Sequence, residues 1–133
     1  MKKILLCIIS IAMIFAFGNL SVMAASEVGS EEELRTAVES NASEIVLKDD
    51  ITVSSMLSLP EGTMLDLAWH SITGVGEFAA DNTQKHVLNI SAPNVTVKNG
   101  SIISVEGNKH CVYVGRGTEN TVLENITLNN EKP

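Results

Sequence analysis

The chain has 133 residues, a formal charge of −7, two cysteines and few aromatic side chains. That length allows one modest hydrophobic core. The acidity argues against nucleic acid or an anionic membrane surface as a partner, because both require a basic footprint.

The first element is a leader. Lys2 and Lys3, an apolar stretch over residues 4–17, a break at Gly18-Asn19 and the small-residue site Val22-Met23-Ala24 form a secretory signal peptide over residues 1–24. The expected location is therefore secreted or cell surface, with membrane attachment only if the signal stays uncleaved. Its removal discards Lys2, Lys3 and Cys7, which takes the charge from −7 to −9 and leaves Cys111 as the single cysteine. No intrachain disulfide can then form, and Cys111, which aligns with the apolar Val87 in the repeat described below, is expected as a buried small hydrophobe.

A helix follows over residues 30–40. Ser30 and Glu33 have the spacing of a capping box, Glu31-Glu32-Glu33 suits the positive end of the helix dipole, and Leu34, Ala37 and Val38 form one apolar face. This helix is expected to plug the open first end of the strands that come after it.

Residues 44–133 read as short strands and turns. Ile45-Val46-Leu47, Ile51-Thr52-Val53, Met64-Leu65-Asp66-Leu67 and Ser71-Ile72-Thr73 are brief alternating runs. Residues 74–84, rich in Gly, Asp, Asn and Thr, suit a surface loop, and allowing for it places Val95 one repeat after Leu65. Two later stretches nearly repeat each other. Lys85-His86-Val87-Leu88-Asn89-Ile90 aligns with Lys109-His110-Cys111-Val112-Tyr113-Val114, and Val95-Thr96-Val97-Lys98-Asn99 aligns with Thr121-Val122-Leu123-Glu124-Asn125. The second halves are offset slightly further than the first, as a small insertion near Gly115 to Thr118 would produce. A period in the twenties built from strands of three to five residues predicts an all-β solenoid, a short right-handed parallel β-helix of about four coils within a single domain over residues 25–133.

The segment Leu65-Asp66-Leu67-Ala68-Trp69-His70-Ser71-Ile72-Thr73-Gly74 resembles a signature found near the start of pectin-lyase-like β-helix domains in secreted and surface, adhesin-like bacterial proteins. The resemblance covers most of the mature chain, including Leu59-Pro60-Glu61-Gly62. It departs at one turn, where the family carries Asn-Gly and this chain carries Ala68-Trp69. Asn and Gly enter left-handed backbone geometry cheaply and Trp does not, so a differently built turn with Trp69 partly exposed is expected.

The candidate binding residues are Trp69, His70, His86 and His110. The repeat stacks His86 on His110, a pair that could hold a metal or an anionic sugar, but no third ligand is apparent and repeated strand starts facing solvent are the favoured reading. Lys98 aligns with Glu124 as an outward ion pair, Asp49-Asp50 suits a turn that bonds its own backbone, and Asn99 with Asn125 suits an amide ladder. No residue is assigned a catalytic role, and no metal or cofactor is expected.

Three functions fit these features: a noncatalytic secreted or surface module, a relative of polysaccharide lyases or glycosidases, and a carbohydrate-binding module. Polysaccharide is the small-partner class for the last two. The last coil, ending at Asn129-Asn130-Glu131-Lys132-Pro133, has no amphipathic segment to cover it, so self-association or a downstream chain is the expected partner there.

Overall fold

The computed structural model describes residues 24–76, 86–105 and 110–131. The leader up to residue 23, residues 77–84 of the expected loop with Phe78, Lys85, Lys109, Lys132 and Pro133 lie outside the described residues.

The described chain is mostly strand, with one helix and only parallel pairing. In order it runs β1 (Ser26–Val28), α1 (Glu31–Glu39), β2 (Glu44–Leu47), β3 (Ile51–Val53), β4 (Leu57–Leu59), β5 (Met64–Asp66), β6 (Ser71–Gly74), β7 (His86–Ile90), β8 (Thr96–Ser104), β9 (His110–Val114) and β10 (Val122–Asn130). One sheet of seven strands has the order β1-β2-β5-β8-β6-β3, with β10 also pairing β8, and a second has the order β4-β7-β9. Every pair is parallel. β8 bends at Asn99, so its first part lies along β5 and its second part along β6.

The core arises from period-two alternation repeated in register. Burial alternates along β2, β3, β4 and β6, which puts every second side chain inside. Parallel register then lines up inward residues from successive strands in files. Ile45, Leu65, Val97 and Leu123 form one, Ile51, Ile72, Ile102 and Leu128 another, and Leu59, Ile90 and Val114 a third, beside Leu57, Leu88 and the partly buried Val112. Each file is buried except at its last member: Leu123, Leu128 and Val114 are 41%, 51% and 45% exposed. A fully buried aliphatic side chain of this kind stabilises the fold by roughly 1.5–3 kcal/mol.

Most of the expected register is present. His86 faces His110 and Thr96 faces Val122, as the two halves of the repeat require. The Leu65 alignment needs correction, because Leu65 faces Val97 rather than Val95. Past the turn the partners draw closer along the chain, with Ser71 facing Ser101, since Ala68 and Trp69 form an excursion that β8 lacks.

α1 closes the first strands of both sheets. Ser30 Oγ accepts from the Glu33 N–H at 3.2 Å while a Glu33 carboxylate oxygen accepts from Gly29 N–H at 2.7 Å, a capping box shifted by one residue on its return arm. Leu34 and Ala37 are buried, and the helix packs on β1, β3 and β4. Its polar residues serve backbone that no strand reaches. Glu31 accepts from Ser54 N–H at 3.0 Å, and Arg35 donates to the carbonyls of Ser55 and Met56 at 2.8 and 3.4 Å. The short strand β1, which runs beside β2, is an element that sequence alternation does not announce.

Candidate functional site

The turn from β5 to β6 departs furthest from ordinary backbone geometry. Ala68 and Trp69 have φ of 46° and 68°, and the His70 N–H donates to the Leu67 carbonyl at 2.7 Å. Two left-handed central residues closed by that bond have the form of a type I′ turn, which favours Asn-Gly. The expectation of a differently built turn is thus overturned: the chain adopts the left-handed geometry with Ala and Trp in place. Such a conformation costs roughly 1–2 kcal/mol for each non-glycine residue. It persists because its neighbours hold it. Trp69 N–H donates to the Asn99 carbonyl at 2.7 Å, Ala68 N–H donates to an Asp66 carboxylate oxygen at 2.9 Å, and Ser101 N–H donates to the His70 carbonyl at 3.2 Å.

On this turn the Trp69 indole is 76% exposed. Beside it His70 Nδ1 lies 3.6 Å from an Asp50 carboxylate oxygen, and the same oxygen accepts from Ser71 N–H at 2.8 Å and Ser71 Oγ at 3.1 Å. The Ser71 bonds, backbone first, hold the Asp50 carboxyl below its ordinary pKa. Asp50 therefore bonds the next strand rather than its own turn, while Asp49 accepts from the Asp50 N–H at 2.8 Å as the sequence suggests.

Behind the indole runs a side-chain ladder. Asn125 Nδ2 donates to Asn99 Oδ1 at 3.1 Å, and Asn99 Nδ2 donates to Asp66 Oδ1 at 3.2 Å. The expected pair of asparagines is present and continues onto a carboxylate. Partial burial works against the charged Asp66, yet the bonds from Ala68 N–H and Asn99 and the nearby Lys98 outweigh it and lower its pKa. Lys98 Nζ sits 3.6 Å from Asp66 Oδ2, which corrects the expected ion pair with Glu124. Glu124 does face Lys98 in register, but on the edge strand it is exposed, while Asp66 offers a partly buried carboxylate already bound by donors. A second rung of the same kind joins Asn120 Nδ2 to Asn94 Oδ1 at 2.9 Å.

His86 and His110 stand on the smaller sheet. Their rings stack at 5.2 Å between centroids, 11° from parallel, and the Tyr113 ring lies 4.8 Å from His86 at the same inclination. Tyr113 was not legible as a member, because its backbone faces Asn89 while its ring reaches back to His86. The four sequence-derived residues thus form two separate pairs, Trp69 with His70 on the turn into β6 and His86 with His110 on the smaller sheet. Among the described residues no group of three or more His, Cys, Asp or Glu side chains could hold a metal ion. Two hollows of about 630 and 650 Å³ flank α1 and are lined by none of the four.

Cys111 is buried, with its Sγ 3.2 Å from the Asn129 carbonyl, and burial raises its thiol pKa. It is an inert core residue. Among the described residues no helix is long and apolar enough to cross a membrane. Comparisons with family models, with curated proteins and with solved structures yield no match.

Proposed function

We propose that this chain is a noncatalytic structural module, a short right-handed parallel β-helix of the pectin-lyase-like kind, exported by its leader and working at the cell surface or outside it in an adhesin-like architecture. The carrying observation is where its polar side chains go. Among the described residues Glu31 accepts from Ser54 beyond its helix, Asp50 from Ser71 of β6 and Asp66 from Asn99 of β8, and all three carboxyls lie below their ordinary pKa. A glycosidase needs one carboxyl group held protonated near neutral pH, and a lyase needs a base free to take a proton. Carboxylates spent on holding stacked segments together serve a scaffold.

Incubation of the exported protein with polygalacturonate and neutral glycans, with and without calcium, tests this reading. No release of unsaturated or reducing ends is expected, and turnover of any of them would sink the scaffold reading. Amino-terminal sequencing of the protein from the medium should begin at Ala25, and a product retained in the cell with its leader intact would remove the export part.

A second reading rests on Trp69. An indole held out on a turn pinned by three backbone bonds and one to the Asp66 carboxylate is a rigid apolar plate, and sugar rings stack on such plates. Under this reading the module binds a glycan without altering it. Retention on a glycan column that Trp69→Ala abolishes would favour it.

A further inference from the structure

We propose that Asn99-Gly100 is a site of spontaneous deamidation that the folded molecule holds closed, so that loss of the Asn99 amide records how often β8 comes open. The inference stands on the contacts of these two residues and not on the β-helix or scaffold reading. Asn99-Gly100 is the single Asn-Gly dipeptide in the 133 residues. A peptide nitrogen attacks the side-chain amide carbon of the asparagine before it most readily where its own residue is glycine, with no side chain to obstruct the approach. Asn41, Asn94, Asn120 and Asn125 share the left-handed backbone of Asn99, but Ala42, Val95, Thr121 and Ile126 follow them. The fold calls for both members of the dipeptide separately. A φ of 59° and a place in the amide ladder suit Asn at 99, while the His70 carbonyl and the Leu67 side chain leave no room for a Cβ at 100. The labile pair is therefore a by-product of the architecture.

The same architecture restrains it. In the reaction the Gly100 nitrogen bonds to Asn99 Cγ, the Cγ–Nδ2 bond breaks, and the amide group leaves as ammonia with the proton given up by the Gly100 N–H. Water then opens the resulting succinimide at one of its two carbonyl carbons, giving aspartate or an isoaspartyl link. For the nitrogen to reach Cγ, the side-chain amide and the backbone must rotate against each other. Three hydrogen bonds oppose that rotation: Asn99 Nδ2 donates to Asp66 Oδ1 at 3.2 Å, Asn125 Nδ2 donates to Asn99 Oδ1 at 3.1 Å, and Trp69 N–H donates to the Asn99 carbonyl at 2.7 Å. Gly100 itself is buried, with the His70 carbonyl on one side and Ile126 of β10 facing it. Neither product fits the place. An aspartate at 99 has no N–H for Asp66 and sets a second carboxylate beside it, and an isoaspartyl link adds a backbone carbon between the part of β8 on β5 and the part on β6. Each conversion therefore removes a ladder that refolding does not restore.

The purified chain, held at mildly alkaline pH either folded in buffer or unfolded in guanidinium chloride, tests this directly. Peptide mass mapping reads the change from amide to acid at residue 99, and labelling by an isoaspartyl methyltransferase counts the isoaspartyl product. The native chain is expected to lose Asn99 about a hundredfold more slowly than the unfolded one, the factor for an opening that breaks three hydrogen bonds. Asn125→Ala removes one of the three and should speed conversion in the native state about fivefold. Gly100→Ala, compared with wild type in guanidinium chloride where folding plays no part, should slow conversion at residue 99 severalfold. Equal rates in the native and unfolded wild type overturn the protection. No conversion at Asn99 in the unfolded chain, or no slowing by Gly100→Ala, overturns the site. If Asn125→Ala does not fold, the comparison of native with unfolded wild type decides.

Discussion

The backbone carbonyl of His70 occupies the space that a Cβ on residue 100 would need, and Gly100 is the residue that lets the two strands lie together there. The Leu67 side chain crowds the same point from the other side, so the Ala68–Trp69 excursion on one strand and the glycine on the next are two halves of one fit. Gly100→Ala should destabilise the protein by roughly 1–3 kcal/mol, the usual cost of overpacking. Urea unfolding followed by circular dichroism measures it, and an unchanged midpoint would show that the strands separate easily at this point.

Replacing Ala68-Trp69 with Asn-Gly should raise stability. The left-handed pair costs about 1–2 kcal/mol per residue, and the extra unfolded-state freedom of glycine takes back less than about 1 kcal/mol of that relief. A higher melting temperature with lost glycan retention would identify strain kept for binding; a higher temperature with nothing lost would make Trp69 incidental.

Asn99 has two separable jobs, its φ of 59° and its place in the middle of the amide ladder. Asn99→Gly keeps the backbone geometry and removes the ladder bonds, each worth about 1 kcal/mol. Asn99→Ala loses both, adding roughly 1–2 kcal/mol. The expected order of stability is wild type, then the glycine variant, then the alanine variant. Equal losses in the two variants would mean that the left-handed turn costs nothing.

Acid should weaken the fold. The Asp66 carboxyl has a folded pKa below its unfolded value of 3.8, so the unfolded chain binds the proton more readily. Its contribution is fully present above that unfolded value and is lost as pH falls through the folded pKa; Asp50 and Glu31 act in the same direction. Urea midpoints compared at neutral pH and well below pH 3.8 should therefore fall with acid, and Asp66→Asn should reduce the difference. A midpoint that rises on acidification would reverse the sign of the linkage.

How far the sequence reveals the fold depends on how local each signal is. The Ser30–Glu33 cap, the inward alternation and the facing of His86 with His110 follow from short-range chemistry and a countable period, and all three are present. β1 is too short to show a pattern, and three residues become a strand only because β2 lies beside them. Propensity points away from the geometry at Ala68 and Trp69, which neighbouring backbone imposes. Lys98 has carboxylates in register on both sides, Asp66 and Glu124, and spacing alone does not say which one its stem will reach.

The files of core side chains also bear on how the molecule is made. Each strand after the first few pairs with one roughly 20 to 30 residues earlier, so every new pairing closes a loop of similar size and similar entropic cost, roughly (3/2)RT ln n. The loops closed by β9 and β10 are slightly shorter than those closed by β7 and by the first part of β8, and the surface that rewards each closure is the strand laid down before it. A chain emerging amino terminus first therefore presents each strand after the partner on which it stacks, so that pairing can follow synthesis.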